Sequence, residues 1–415
     1  MAPARGSSRT RKTPIVVVGD GVVPTGFSRV VHSILERLYH KYDFHHLAIN
    51  LNDQEHNSPW TIYPTGEGDY FGVNRLKLLV SKVHPKIVLV VNDIWVISNY
   101  MAALQDHRHR VKIIGYSPVD AAPLEPNLLA GVKDLDVLVL YTQFARREVE
   151  KAIEQLRNGQ PGFEFAEIRV IPHGIDPKVF YPYADRKLGQ PPSAGRRLAR
   201  EWLFKKSDFA DAFIVLNANR NQPRKRIDIT IKGFSLFARD KPPSVKLYLH
   251  MGVEDCGWNI VLLAKRHGIE DRLILTADTP FLPVVSNEVL NCIYNACDVG
   301  INTSVGEGWG LVSFEHAATG AGQIVPRHSA CEELWRDSAL MLDTCMTLTT
   351  ERSLTEVHFV APQAVASSLD QLYGDPALLA EISARSFATS TSPEYNWSTL
   401  AGHWDRLFEE VLAKR

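Results

Sequence analysis

Apolar residues in this chain come in short unbroken runs separated by longer stretches of helical periodicity. PIVVVG (Pro14–Gly19) is the first run, and FSRVVHSILERLYH (Phe27–His40) follows with apolar residues three and four apart. HHLAIN (45–50), KIVLVVN (86–92), VKIIGY (111–116), DVLVLY (136–141) and IRVIP (168–172) continue the series. Strands without polar alternation fit a parallel sheet covered by helices on both faces. From Asp176 to Pro192 the rhythm gives way to a Pro-rich, charged segment that reads as a linker. It resumes with strand 212–219, helix 227–238, strands 245–250, 273–276 and 299–302, a helix from Leu311, and strand 323–326. The last stretch, 397–414, places Leu400, Trp404, Leu407, Phe408 and Leu412 near one helical face. The pattern predicts two doubly wound α/β domains in tandem. Residues 13–182 form the first and 183–396 the second, followed by the helix 397–415; a basic tail, 1–12, is expected to be disordered.

Composition changes little of this picture. Lys and Arg number 46 against 47 Asp and Glu, a net charge of -1 that gives no support to nucleic acid as the main partner. Five cysteines, at 256, 292, 297, 331 and 345, form no C-x-x-C pair and no disulfide framework, which fits a reduced, cytoplasmic protein. No apolar run approaches the ~20 residues of a membrane span, and the basic N-terminus has no apolar stretch behind it to make a secretory signal.

Ligands of open α/β sheets bind beyond the carboxyl ends of the strands, so the loops there are searched for chemistry. SVGEGWGLVSFEHAATG (Ser304–Gly320) follows one strand and opens a helix. Gly308 and Gly310 permit close backbone approach, and the amides of Gly310, Leu311 and Val312 are free donors suited to phosphate. Glu307 precedes the turn and can accept from sugar hydroxyls, while Glu315 can hold a ribose diol with both oxygens. A glycine-rich turn with two surface glutamates fits the same spacing. NANRNQPRKRIDITIKGF (Asn217–Phe234) also joins a strand to a helix, with Arg220 and Lys225 placed to face a cleft. Cations there would stabilise the charge on a departing nucleoside diphosphate. A solvated basic loop is the plain alternative; a single-strand nucleic-acid site would need interleaved aromatics, which are missing.

Taken together the two segments resemble family 4 of the retaining glycosyltransferases, whose fold is GT-B: two Rossmann-like doubly wound domains facing across a cleft. EGWGLVSFE resembles that family's E-x7-E element and NRNQPRKR its Arg…Lys element. IPHGIDPKVFYP (171–182), the run into the E-x7-E segment, and GDGVVPTGFSRV (19–30) agree, so that the likeness spans Ile15 to Trp335. The resemblance implies that Arg220 and Lys225 bind the diphosphate and that Gly26 closes over it. It implies that Glu307 and the Gly308–Trp309–Gly310–Leu311 backbone hold the donor sugar, that Glu315 holds the ribose, and that Pro283, in DTPFLP (278–283), lies by the base. Asp120, in YSPVDAAP, falls where many members carry a His or Asp beside the donor sugar, though it fits a turn cap equally; His173 is expected to be structural. The co-substrate implied is a UDP- or GDP-sugar, with no cofactor and no metal. The only D-x-D, Asp134-Leu-Asp136, sits at a strand start.

The reaction expected is front-face glycosyl transfer to an acceptor hydroxyl of a glycan, lipid or small molecule. A phosphorylase or epimerase of the same fold, or a non-catalytic nucleotide-sugar-binding module, stays open. An NAD-dependent oxidoreductase is disfavoured because Gly19-Asp20-Gly21 lacks the third glycine of its fingerprint. Acceptor contacts are expected from Leu51–Gly72, whose Trp60, Tyr63, Tyr70 and Phe71 either stack on sugar or pack the loop.

Overall fold

The computed structural model describes residues 12–23, 25–51, 57–184, 189–205, 209–351 and 353–414. All of the expected basic tail but Lys12, and part of the expected linker, therefore lie outside the described residues. The first sheet comprises β1 (Thr13–Asp20), β2 (Tyr42–Ile49), β3 (Thr61–Pro64), β4 (Ile87–Val91), β5 (Lys112–Ser117), β6 (Val137–Leu140) and β7 (Glu167–Val170). The second comprises β8 (Phe213–Asn217), β9 (Val245–Leu249), β10 (Leu273–Leu275), β11 (Val299–Ile301), β12 (Gly322–Pro326) and β13 (Leu340–Leu342). A separate antiparallel hairpin pairs β14 (Thr344–Thr349) with β15 (Glu356–Val360).

The strand orders are β3-β2-β1-β4-β5-β6-β7 and β10-β9-β8-β11-β12-β13. Every ladder in both sheets is parallel. Each sheet thus reverses direction once, between β1 and β4 in the first and between β8 and β11 in the second. A crevice opens at such a reversal, because the connections on either side leave toward opposite faces. Helices α1 (Gly26–Leu38), α2 (Val73–Val83), α3 (Ile94–Ala103), α4 (Asn127–Ala130) and α5 (Gln143–Gly159) accompany the first sheet. With the second run α6 (Arg196–Phe204), α7 (Ile227–Phe237), α8 (Ile260–Arg266), α9 (Asn287–Ala296), α10 (Leu311–Ala317), α11 (Ser329–Trp335), α12 (Pro362–Gly374) and α13 (Pro376–Ser390).

The central strands are buried end to end, β4 at all five positions, as their unbroken apolar sequence requires. Apolar clusters cover the outer face of each sheet, and a third runs from one sheet to the other through Trp309, Phe314, Trp335 and Trp397. The last helix, α14 (Trp397–Ala413), returns to the first sheet: Trp404 meets Tyr116 edge-on with centroids 4.8 Å apart, and Phe408 meets Tyr42 at 5.4 Å. Its entry is fixed where the chain first leaves that sheet, since Ile175 donates to the Tyr395 carbonyl (2.8 Å) and Trp397 donates back to Ile175 (3.2 Å). The segment expected as linker is pinned rather than free where it is described, for Tyr181 and Tyr183 donate their amides to Asn291 and Asn295 of α9. Among the described residues no helix is long and apolar enough to cross a membrane.

Candidate active site

Both chain reversals face one cleft of about 540 Å³. From the first sheet come the ends of β1, β4, β5 and β6 and the start of α1; from the second come the loop after β8 and the turn that opens α10.

The two segments singled out in the sequence are tied together through their backbones. Val305 donates to the Arg224 carbonyl (2.9 Å), and the Thr303 hydroxyl lies 3.2 Å and 2.9 Å from the Lys225 and Arg226 carbonyls. This brings the Lys225 ammonium into direct contact with Glu307 Oε1, where both side chains are buried. Ser304 donates to the same oxygen (2.8 Å) and Asn302 approaches it at 3.3 Å. Burial alone would raise the Glu307 carboxyl, but Lys225 and then Arg224 outweigh it and hold it well below the usual carboxylate range. Glu307 is therefore an ionised acceptor with a pre-set orientation.

Arg224, set aside in the sequence as part of a solvated basic run, is a cleft residue. Its Nη1 donates to the Gly306 carbonyl (3.0 Å) and lies 3.5 Å from Asp120 and 3.6 Å from Glu307. Arg220 also lines the cleft, held by Asp255 in a two-pronged contact of 2.7 and 3.0 Å that leaves Nη1 unengaged by that carboxylate. Asp255 has a φ of 37° and follows β9; nothing in its sequence context marked it.

Gly308 sits where the two halves meet. A Cβ there would fall 2.6 Å from Pro118 Cβ and 2.7 Å from Asp120 Oδ1. Gly310 takes φ +87°, from which the chain turns into α10, whose first amides have no intrahelical acceptor. Gly26 opens α1 opposite, with a notional Cβ 3.3 Å from Leu311 Cδ1, so the first turns of two helices confront each other across the cleft. Trp309 also lines the cleft, and its buried ring stacks on Phe314 (4.9 Å).

Two expected residues stand elsewhere. Glu315 lines an adjoining cavity of about 220 Å³, where Arg29 of α1 lies 2.9 Å from Oε1 and Tyr294 donates to Oε2 (3.0 Å). Burial raises its carboxyl despite both partners. In segment 278–283 it is Leu282 that reaches the main cleft, while Pro283 is buried. Asp136 of the D-x-D accepts from the Ile113 amide (2.8 Å) and pairs with Arg108 (3.0 Å) at the start of β6, a structural arrangement.

Several cleft residues went unread: Asp20, Asn92, Asp93, Tyr141 and Arg224. Asp20 accepts from Thr25 (2.6 Å) and Asn50 (3.1 Å), and burial raises it. Burial, with the Asp120 charge adding to it, pushes Asp93 up to about 6. Burial also raises Asp120, against Arg224. A signal existed, because all four non-cationic positions lie within two residues of a strand's carboxyl end. His173 is buried in an aromatic surround of Tyr116, Tyr141 and Trp309, and burial holds it neutral, at about 3. The aromatics of 51–72 divide: Trp60 packs edge-on to His32 and Tyr63 stacks on His45, whereas Tyr70 and Phe71 line the cleft.

This fold is GT-B, the two-lobed fold of nucleotide-sugar glycosyltransferases. No protein-family model matches the chain. A segment of 174 residues is 28% identical to mannosylfructose-phosphate synthase of Agrobacterium fabrum, covering 40% of this chain and 34% of that relative. Over its whole length the chain is similar to the sucrose-phosphate synthase structure from Thermosynechococcus elongatus (TM-score 0.69, 16% identity, covering 97% of this chain and 100% of that one). It is similar also to Anabaena HepE in complex with UDP and glucose (TM-score 0.67, 16% identity, covering 96% and 100%).

Proposed function

We propose that the protein is a retaining glycosyltransferase that moves a sugar from a nucleotide-diphosphate sugar to an acceptor hydroxyl without a metal ion. The observation that carries this reading is the convergence of Arg220, Arg224, Lys225, Glu307 and two opposed helix starts on one cleft between two sheets. Arg220 and Lys225 hold the diphosphate, aided by the amides around Gly26 and at the start of α10. Glu307 and the Gly308–Leu311 backbone hold the sugar. Glu315 takes the ribose, and the segment around Leu282 and Pro283 flanks the base. A UDP-sugar is the favoured donor, in keeping with the UDP and glucose in the HepE complex. Residues 13–182 with the final helix form the acceptor side, and 183–396 the donor side.

In the reaction the bond between C1 and the phosphate oxygen breaks, its electron pair leaving on phosphate. The acceptor oxygen bonds C1 on the same face, and its proton passes to the departing phosphate oxygen. The ion pairs are set before the substrate arrives, so charge developing on phosphate meets cations that need little reorganisation. Arg224, placed between Asp120 and Glu307, fixes the carboxylates that border the transferred sugar.

A panel of UDP- and GDP-sugars screened by thermal shift identifies the donor. Glu307→Ala and Lys225→Ala are then expected to lower its turnover at least 100-fold, on the scale of about 3 kcal/mol lost from transition-state stabilisation. Undiminished turnover in both variants would refute the assignment.

A further inference from the structure

We infer that the acceptor is an uncharged saccharide ring, not a sugar phosphate; this rests on the glycosyltransferase reading and specifies its second substrate. The two sides of the cleft differ in charge. Among the described residues that line it, every cation, namely Arg220, Arg224 and Lys225, comes from the one loop after β8. The facing wall contributes Asp20, Asp93 and Asp120, with Asn50 and Asn92 and no Lys or Arg. Arg224 is committed to Asp120, Glu307 and the Gly306 carbonyl, and a donor diphosphate would engage Arg220 and Lys225. Among the described residues that line the cleft no cation is then left for a phosphate on the acceptor, which would instead stand among three carboxylates.

Two further side chains at the cleft carry no charge. Tyr141 and His173 are 3% and 4% exposed, line the cleft, and leave the Tyr141 hydroxyl and both His173 nitrogens without a hydrogen-bond partner in the structure. Burial keeps the tyrosine protonated and the imidazole neutral, so neither offers a charge to a phosphate. At the rim, Tyr70 (66% exposed) and Trp95 (50% exposed) flank Phe71, edge-on at 4.8 and 5.4 Å. Trp95 also hydrogen-bonds Asp93. An exposed ring beside hydroxyl-accepting carboxylates presents an apolar face and a polar edge together, which is the pattern of a sugar ring's own surface.

The test uses the full chain saturated with UDP and a panel of neutral mono- and oligosaccharides alongside glucose 6-phosphate and fructose 6-phosphate. Saturation-transfer NMR reports binding, and nucleotide release from the identified donor reports transfer. At least one neutral saccharide is expected to bind, with saturation arising from aromatic protons, and to support transfer at least tenfold better than its own monophosphate. Tyr70→Ala, at an exposed position that leaves the core intact, is expected to raise the acceptor KM at least fivefold with the UDP Kd unchanged. Asp93→Arg is expected to narrow the discrimination against the monophosphate. A monophosphate that outperforms its parent sugar overturns the inference, as does a UDP-loaded protein to which no neutral saccharide binds. If no nucleotide sugar binds at all, the glycosyltransferase reading has failed instead, and the donor screen reveals that separately.

Discussion

Gly308 concentrates the demands of the site in one missing carbon. Its notional Cβ would meet Pro118 and Asp120, both carried by the loop after β5 of the other lobe. The strain of an added methyl group therefore falls on the contact between lobes, and only secondarily on a core. Gly308→Ala is expected to lower kcat/KM at least tenfold, with a loss of stability limited to about 1–3 kcal/mol, the usual range for overpacking. Steady-state kinetics beside thermal unfolding check the two effects separately. Asp93 offers a test of electrostatics at the same scale. Burial and then Asp120 raise its carboxyl from the unfolded value to about 6, so the native state binds the extra proton between roughly pH 4 and 6. Stability linked to this group is thus highest at low pH and falls as pH rises through that window. Asp93 begins α3 without a side-chain cap bond, so an amide there forfeits no cap. Asp93→Asn is accordingly expected to be more stable than the parent at pH 7.5, by on the order of 1–2 kcal/mol, with the difference vanishing near pH 4. Melting curves across pH decide it, and a difference independent of pH would assign the effect to packing.

Elements were legible to the degree that their burial is uniform. Strands β1, β4, β6, β8 and β12 are buried along most or all of their length because helices cover both faces, and the apolar run in each makes it readable to within two residues. β3 is partly exposed at an edge and contains a proline, and it was read as loop. The hairpin β14–β15 is not legible as part of either sheet, since every residue of β14 is exposed and the hairpin pairs only with itself. It nevertheless reaches the site: Glu356 donates to the Ala122 carbonyl and His358 to that of Val305, so it spans the neighbourhoods of Asp120 and Glu307. The cation loop shows the converse limit. Lys225 is readable as a cleft residue but Arg224 is not, because sequence gives no hint that Thr303 and Val305 clamp this turn and bring both cations to the cleft. The third, Arg226, is not among the cleft residues: it pairs with Asp228 and its guanidinium lies 5.1 Å from the Trp258 and Phe359 rings. Asp20 and Asp93 escape notice for a related reason: each stands alone in sequence, and only the order of the parallel strands brings them into one cleft with Asp120.

At the scale of the whole molecule, the contact between Arg29 and Glu315 joins helix α1 of one lobe to helix α10 of the other. The carboxylate is almost entirely buried and the guanidinium about a third exposed, with Phe180 beneath it at 5.1 Å. If Glu315 receives the ribose, the nucleotide and Arg29 compete for the same oxygen, and binding must trade an interlobe ion pair for ligand hydrogen bonds. The two partners should then respond with opposite sign. Glu315→Gln removes the ribose acceptor and is expected to weaken UDP binding about tenfold, a loss of roughly 1.4 kcal/mol. Arg29→Met keeps the packing on Phe180 but removes the competitor, and is expected to tighten UDP binding severalfold. The same variant should melt earlier in the absence of nucleotide, because it leaves a buried carboxyl without its cation. Calorimetric titration of both variants and the double mutant separates the pair's coupling from the separate losses. If Arg29→Met weakened UDP binding as much as Glu315→Gln does, the arginine would be a ligand of the nucleotide itself, and the trade between lobes would not exist.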